Sequence, residues 1–278
     1  MQKSQLQLGV HSKQPIGIFD SGVGGLTVFK EIRRKFPYED IVYFGDTARV
    51  PYGPKSPHTV VEYSIQNARF LLQCGAKIIV VACNTSSAVA LQELKKLIPV
   101  PVLGVIEPGA ESAVKRTENG RIGVIGTEGT IRSKAYTKAI SNLRKDVQVF
   151  GKACPLFVSL AEEGWEDHHV TKLVIREYLE PLLARNIDTL VLGCTHYPIL
   201  KKAIQNIAGD KVDLVDSAEA VSEQLKSMIE TRETDSFGID KFYVSDNEQK
   251  FMQIASRILD RQIKNLFNVK LGESWYLA

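Results

Sequence analysis

Two cysteines carry the most chemical information in this chain. Cys83 lies in Ile78-Ile79-Val80-Val81-Ala82-Cys83-Asn84-Thr85, and Cys194 lies 111 positions on in Leu190-Val191-Leu192-Gly193-Cys194-Thr195-His196. Each follows an apolar run of the kind that forms a buried parallel strand. Each is preceded by Ala or Gly and followed at once by small polar residues. Such thiols sit at carboxyl ends of strands, where open α/β sheets place their ligands. Two of them, from two similar units, can face one another across a cleft. That arrangement suits proton removal from one face of a small substrate and return to the other, with one thiolate, one thiol, and the roles exchanged in reverse. A free thiol has a pKa of ~8.5, so a neighbouring group must help form the thiolate. His196, two residues beyond Cys194, and Asp20, in the other half of the chain, are the candidate partners. Asn84, Thr85 and Thr195 carry donors suited to a carboxylate, and helix N-capping is their alternative use.

The elements that must hold these residues alternate nearly end to end. Ile16–Phe19 reads as a strand and Leu26–Lys35 as its helix; Ile41–Phe44 is a second strand, followed by a long loop through Pro51-Tyr52-Gly53-Pro54 and a helix over Pro57–Cys74. Lys77–Ala82 is the third strand, Ser86–Leu97 one helix, Val102-Leu103 a short strand and Glu107–Arg116 a helix. The pattern restarts at Ile122–Ile125, which opens into Gly126-Thr127-Glu128-Gly129-Thr130 and a helix; a long helix over Val170–Ala184 and a core strand over Thr189–Leu192 follow. Alternation of this kind means parallel sheets flanked by helices. The two openings are 106 residues apart and the two cysteine strands 111. Those offsets suggest a duplicated α/β unit rather than a solenoid, whose periods are 20–50 residues. The reading is therefore α/β, with two similar parallel-sheet lobes and a site in the cleft between them. Residues 1–107 form the first lobe, completed by 218–278 (with a Phe242-Tyr243-Val244 strand and a helix from Asn247), and residues 108–217 form the second.

Composition narrows the class. A chain of 278 residues with 44% hydrophobic and 24% charged residues is ordinary globular material. The net charge of +3 is small, and Arg33-Arg34-Lys35 and Lys95-Lys96 read as solvated helix faces, so no nucleic-acid partner is expected. Residues 1–15 lack the apolar core of a signal peptide, and no run reaches the ~18 apolar residues of a membrane span. A cytoplasmic location with no membrane partner is the expectation. The four cysteines, Cys74, Cys83, Cys154 and Cys194, form no C-x-x-C pair, which argues against a zinc site and, in a reducing cytosol, against disulfides. Cys74 reads as a small buried hydrophobe, and Cys154 as structural in a loop-like stretch before Pro155.

The turn Gly22-Val23-Gly24-Gly25-Leu26-Thr27 follows a strand, yet lacks the third glycine of G-x-G-x-x-G and the G-K-[ST] of a P-loop. An anion-binding helix start is the better physical reading, with Asp20 and Ser21 at its mouth to meet an amino acid's ammonium and carboxylate.

At these positions the chain resembles the cofactor-independent aspartate/glutamate racemases, and among them those acting on glutamate. The resemblance rests on Gly17-Ile18-Phe19-Asp20-Ser21-Gly22-Val23-Gly24-Gly25-Leu26, Asp46-Thr47-Ala48-Arg49-Val50-Pro51-Tyr52-Gly53, Ala82-Cys83-Asn84-Thr85 and Gly193-Cys194-Thr195-His196. Glu107-Pro108-Gly109 and Pro155-Leu156-Phe157-Val158 extend it over nearly the whole length. It implies that Cys83 and Cys194 are the acid/base pair, with Asp20 and His196 assisting. It implies too that Asp20, Ser21, Pro51, Tyr52, Gly53, Asn84, Thr85, Thr127, Thr195 and His196 bind glutamate. Glu162 matches a supporting carboxylate, with Glu163 beside it as the alternative. No metal and no cofactor is implied, and the assembly is left open between monomer and homodimer. Such an enzyme supplies D-glutamate for peptidoglycan. Two other classes compete. A two-lobed binding protein would share the lobes but needs no paired thiols, and a cysteine hydrolase or amidotransferase would leave the second cysteine without purpose.

Overall fold

The computed structural model describes residues 13–230 and 236–271. Most of the polar leader 1–15, and the last seven residues assigned to the first lobe, lie outside that range.

The first lobe runs β1 (Ile16–Asp20), α1 (Leu26–Lys35), β2 (Ile41–Gly45), α2 (Pro57–Gln73), β3 (Ile78–Val81), α3 (Asn84–Val89), α4 (Leu91–Leu97) and β4 (Val102–Gly104), and α5 (Ile106–Arg116) leads out of it. The second runs β5 (Arg121–Gly126), α6 (Glu128–Ser133), α7 (Ala135–Leu143), β6 (Gln148–Ala153), α8 (Leu156–Glu162), α9 (His169–Leu183) and β7 (Thr189–Gly193), then a 3-10 turn over Tyr197–Leu200, α10 (Lys201–Ala208) and β8 (Asp213–Asp216). Then α11 (Ser217–Lys226), β9 (Asp240–Val244), α12 (Glu248–Leu259) and β10 (Leu266–Asn268) return to the first. All pairings are parallel, in the orders β10-β9-β2-β1-β3-β4 and β6-β5-β7-β8. The run β2-β1-β3-β4 has the same order as β6-β5-β7-β8, so the two lobes repeat one design.

Both faces of each sheet centre are covered, which is why β1, β2, β3 and β7 are buried at every position. Helix α1 shows how a flank is built. Leu26, Val28, Phe29 and Ile32 form its buried stripe, while Arg33, Arg34 and Lys35 fill its last turn, where cations suit the helix dipole. Each fully buried apolar side chain of that stripe stabilises the lobe by about 1.5–3 kcal/mol. The lobes also exchange helices: α5 packs in the second lobe's core with Ile122, Val124, Tyr136 and Val215, and α11 packs in the first lobe's core with α1.

The structure corrects several expectations. The helix expected over Ser86–Leu97 is two, because Ser87 turns its hydroxyl to the Val81 carbonyl (2.8 Å) and the Val105 amide (3.2 Å), anchoring α3 before α4 restarts. The helix after Thr130 breaks at Lys134, which adopts a left-handed conformation (φ 55°) with no glycine to announce it. Cys154 does lie in a connection, the two-residue link between the edge strand β6, whose half-exposed Gly-Lys sequence shows little alternation, and α8, neither of which was foreseen. Strand β10 was not expected at all.

Candidate active site

Cys83 caps α3 at the end of β3, its sulfur accepting the Ser86 amide at 3.5 Å. Cys194 follows β7 directly and opens onto the 3-10 turn. The topologically equivalent strands of the two sheets thus each end in a thiol, and all four cysteines are free. Among the described residues no group of three His, Cys, Asp or Glu side chains is placed to hold a metal ion.

Asp20, at the end of β1, connects the two thiols. It is fully buried and acts electrostatically on Cys83, while Thr195, next to Cys194, donates to its Oδ1 at 3.3 Å. The glycine turn serves Asp20 first: the Gly22 amide reaches Oδ2 at 3.0 Å and the Gly25 amide bonds it too. Those amides, expected to face a ligand anion, are therefore already engaged. Burial raises the Asp20 pKa, opposed by His196 and by these hydrogen bonds. Burial, then the Asp20 charge, pushes Cys83 up to about 11, softened by hydrogen bonds from Ser86 and Ser21.

Cys194 has different company. Its sulfur lies 3.9 Å from His196 Nδ1, and His196 Nε2 lies 3.2 Å from Glu162 Oε1. Burial alone would lower the His196 pKa, but Cys194 and Glu162 hold it at about 10, so the ring carries a proton at neutral pH. Burial would likewise raise Glu162, yet His196 and Lys250 bring it down to about 2. Glu162 is the carboxylate that faces the site, and Glu163 is exposed.

The remaining residues gather from three loops. Thr85 Oγ1 meets Thr127 Oγ1 across the lobes at 2.8 Å, and Gly53 lies so close to Thr127 that a Cβ there would stand 2.9 Å from its Cβ. Asn84 receives the Tyr136 hydroxyl on Oδ1 at 2.8 Å, which leaves its buried Nδ2 without a partner, a donor suited to a substrate carboxylate. Tyr52 is buried beside Cys83. Its hydroxyl donates to Asp46 and accepts from Asn67, and its ring packs with Val60 and Cys83, so the side chain walls the site instead of offering a polar group. Pro51 follows a cis peptide and its side chain is exposed. Sequence reasoning missed Tyr136 and Lys250, which lie far from every glycine-rich or cysteine-bearing motif.

Cys83 and Cys194 are 4% and 5% exposed, and the two lobes touch through Thr85–Thr127 and Asp20–Thr195. Gly24 marks the contact between them, since a Cβ there would come within 2.4 Å of His196 Nδ1.

Two parallel-sheet α/β lobes of one strand order, each with a buried cysteine after the equivalent strand, set the class of protein. Residues 22–225 match the Asp/Glu/hydantoin racemase family, and the chain belongs to that family, which makes it an isomerase. A glutamate racemase of Geobacter metallireducens is 53% identical over 260 residues, spanning 92% of this chain and 96% of its own. The crystal structure of a Bacillus anthracis glutamate racemase superposes with a TM-score of 0.89 at 40% identity, covering 94% of this chain and 99% of that one. The Francisella tularensis glutamate racemase solved with D-glutamate gives 0.86 at 38% identity, with the same coverage.

Proposed function

We propose that this protein interconverts L- and D-glutamate by a cofactor-independent two-base proton transfer between Cys83 and Cys194. The observation that carries the reading is the pair of thiols on equivalent strands, each with its own proton-handling surroundings. Cys83, near 11, holds its proton at neutral pH and is ready to deliver it. Cys194 exchanges its proton with His196, whose positive charge is kept by Glu162. In one direction Cys194 takes the α-proton and Cys83 returns one to the opposite face; in the other the roles reverse. The carbanion is the difficult species, and preorganised donors around the substrate carboxylate, with the unpaired Asn84 Nδ2 foremost, would stabilise it in a site closed to water.

The residues assigned to substrate are Asp20, Ser21, Asn84, Thr85, Thr127, Thr195 and His196, with the Pro51-Tyr52-Gly53 segment as a wall. Glutamate, in place of aspartate, rests on the close relatives. The role that follows is supply of D-glutamate for peptidoglycan in a bacterial cytoplasm; among the described residues no helix is long and apolar enough to cross a membrane. The test follows optical rotation of L-glutamate and L-aspartate separately, with purified protein and no added cofactor. Loss of the glutamate signal to zero is expected. Faster turnover of aspartate, or dependence on a cofactor, would overturn the proposal.

A further inference from the structure

The Cys194–His196–Glu162 line does not end at Glu162. Lys250 Nζ lies 3.2 Å from Glu162 Oε2, the oxygen that His196 leaves free. Glu162 is the last residue of α8 in the second lobe, whereas Lys250 stands in the first turns of α12, which packs on α1 of the first lobe. The contact therefore crosses between lobes.

The same helix makes a second crossing. Arg257 Nη2 donates to the carbonyls of Ala161 (2.5 Å) and Glu162 (3.0 Å), and its Nε lies 3.3 Å from Glu166. Those carbonyls are at the end of α8, where Ala161 O also accepts from the Gly164 amide at 3.3 Å, and a guanidinium there both bonds them and meets the negative end of the helix dipole. Gly164 makes room: it turns the chain with φ +75°, and a Cβ would stand 2.7 Å from Arg257 Nη1. Helix α12 thus grips both the backbone and the side chain of Glu162 from the opposite lobe.

We infer that Lys250 is a positioning residue for the Cys194 half of the reaction, pinning Glu162 against His196 from across the lobe boundary. The inference rests on the function proposed above. Without Lys250 the outer oxygen of this partly buried carboxylate loses its 3.2 Å ion pair. His196 then loses its fixed acceptor and its hold on the proton it exchanges with Cys194. Lys250 itself is half-exposed, so its removal leaves no buried charge unpaired and spares the fold.

The test compares wild type, Lys250→Met and Lys250→Arg, with two readouts. The first is the titration of the His196 ring by NMR, independent of any substrate; the charged groups facing the ring are Cys194, Glu162 and Asp20. Lys250→Met should move that titration down from about 10, and Lys250→Arg should restore it. The second is glutamate racemisation, where Lys250→Met should lower kcat about tenfold with KM within about twofold, a modest share of what general acid–base catalysis supplies, and Lys250→Arg should recover most of it. An unmoved titration, an unchanged kcat, or equal losses in Met and Arg variants would overturn the inference. Wild-type protein that titrates as expected but does not racemise glutamate would instead overturn the proposed function, and the NMR comparison would still decide the role of Lys250.

Discussion

Gly24→Ala is the most economical perturbation of the closed site, because it adds one carbon where the lobes touch. That carbon would stand 2.4 Å from His196 Nδ1, 2.6 Å from His196 Cε1 and 2.6 Å from Thr195 Oγ1, against an ordinary contact of at least 3.4 Å. One or both groups must retreat by about 1 Å. Neither is free to do so: His196 is held by Glu162 at 3.2 Å, and Thr195 Oγ1 donates to Asp20 at 3.3 Å. Gly24 has no positive φ, so alanine is tolerated by its backbone and the clash is the whole effect. Overpacking of this kind costs about 1–3 kcal/mol, a melting shift of about 2–12 °C in a domain of this size. A displacement of about 1 Å among reacting groups costs roughly 100-fold in rate. The assay is kcat/KM for glutamate by circular dichroism beside a thermal melt, with Gly22→Ala as the comparison, whose Cβ meets only Val50, at 3.3 Å. Gly24→Ala should lose about two orders of magnitude in kcat/KM while remaining folded, and Gly22→Ala far less. Wild-type turnover by Gly24→Ala would show that catalysis does not need this closure.

Other outcomes follow from the same contacts. Lys77→Met removes the 2.6 Å ion-pair partner of buried Glu39, and should lower stability by about 1–3 kcal/mol in urea unfolding without touching the site. Tyr136→Phe removes the hydrogen bond that orients Asn84, and should reduce kcat/KM about fivefold, by the net worth of one such bond; an unchanged value would remove Asn84 from the carboxylate's donors. His196 is raised from 6.5 to about 10 on folding, so its stabilisation is present below pH 6.5 and is lost as pH rises through about 10. Glu162, lowered from 4.5 to about 2, stabilises above pH 4.5 and stops doing so as pH falls through about 2. The stability gap between wild type and His196→Asn should therefore be widest between pH 4.5 and 6.5 and close towards pH 10, as read by urea midpoints; a gap independent of pH would refute the charged-pair description.

The sequence made visible what local rules govern. Apolar runs ending in Cys83 and Cys194 could only be buried strands with polar ends, and the repeated openings at Ile16 and Ile122 foretold two lobes, which share one strand order. What it hid has physical reasons. Edge strand β6 shows no clear alternation because it is half-exposed along most of its length. The break at Lys134, in a left-handed conformation, is announced by no glycine or proline. The hydrogen bond from the Tyr52 hydroxyl to Asp46 was likewise hidden, because no motif discloses that partner. Lys250 was invisible for a further reason: it is an ordinary lysine on an amphipathic helix, made significant only by the return of α12 to the lobe boundary.

The central claim is that two thiols serve two faces, and single-cysteine variants in deuterated water test it most directly. Cys83→Ala and Cys194→Ala should each abolish racemisation, since neither retains both an acid and a base. Each keeps one thiol, so each should still exchange the α-hydrogen of a single enantiomer, slowly and with retention, as followed by proton NMR. Opposite preferences are predicted, one variant exchanging D-glutamate and the other L-glutamate. Near wild-type racemisation by either variant, or the same enantiomer exchanged by both, would contradict the account.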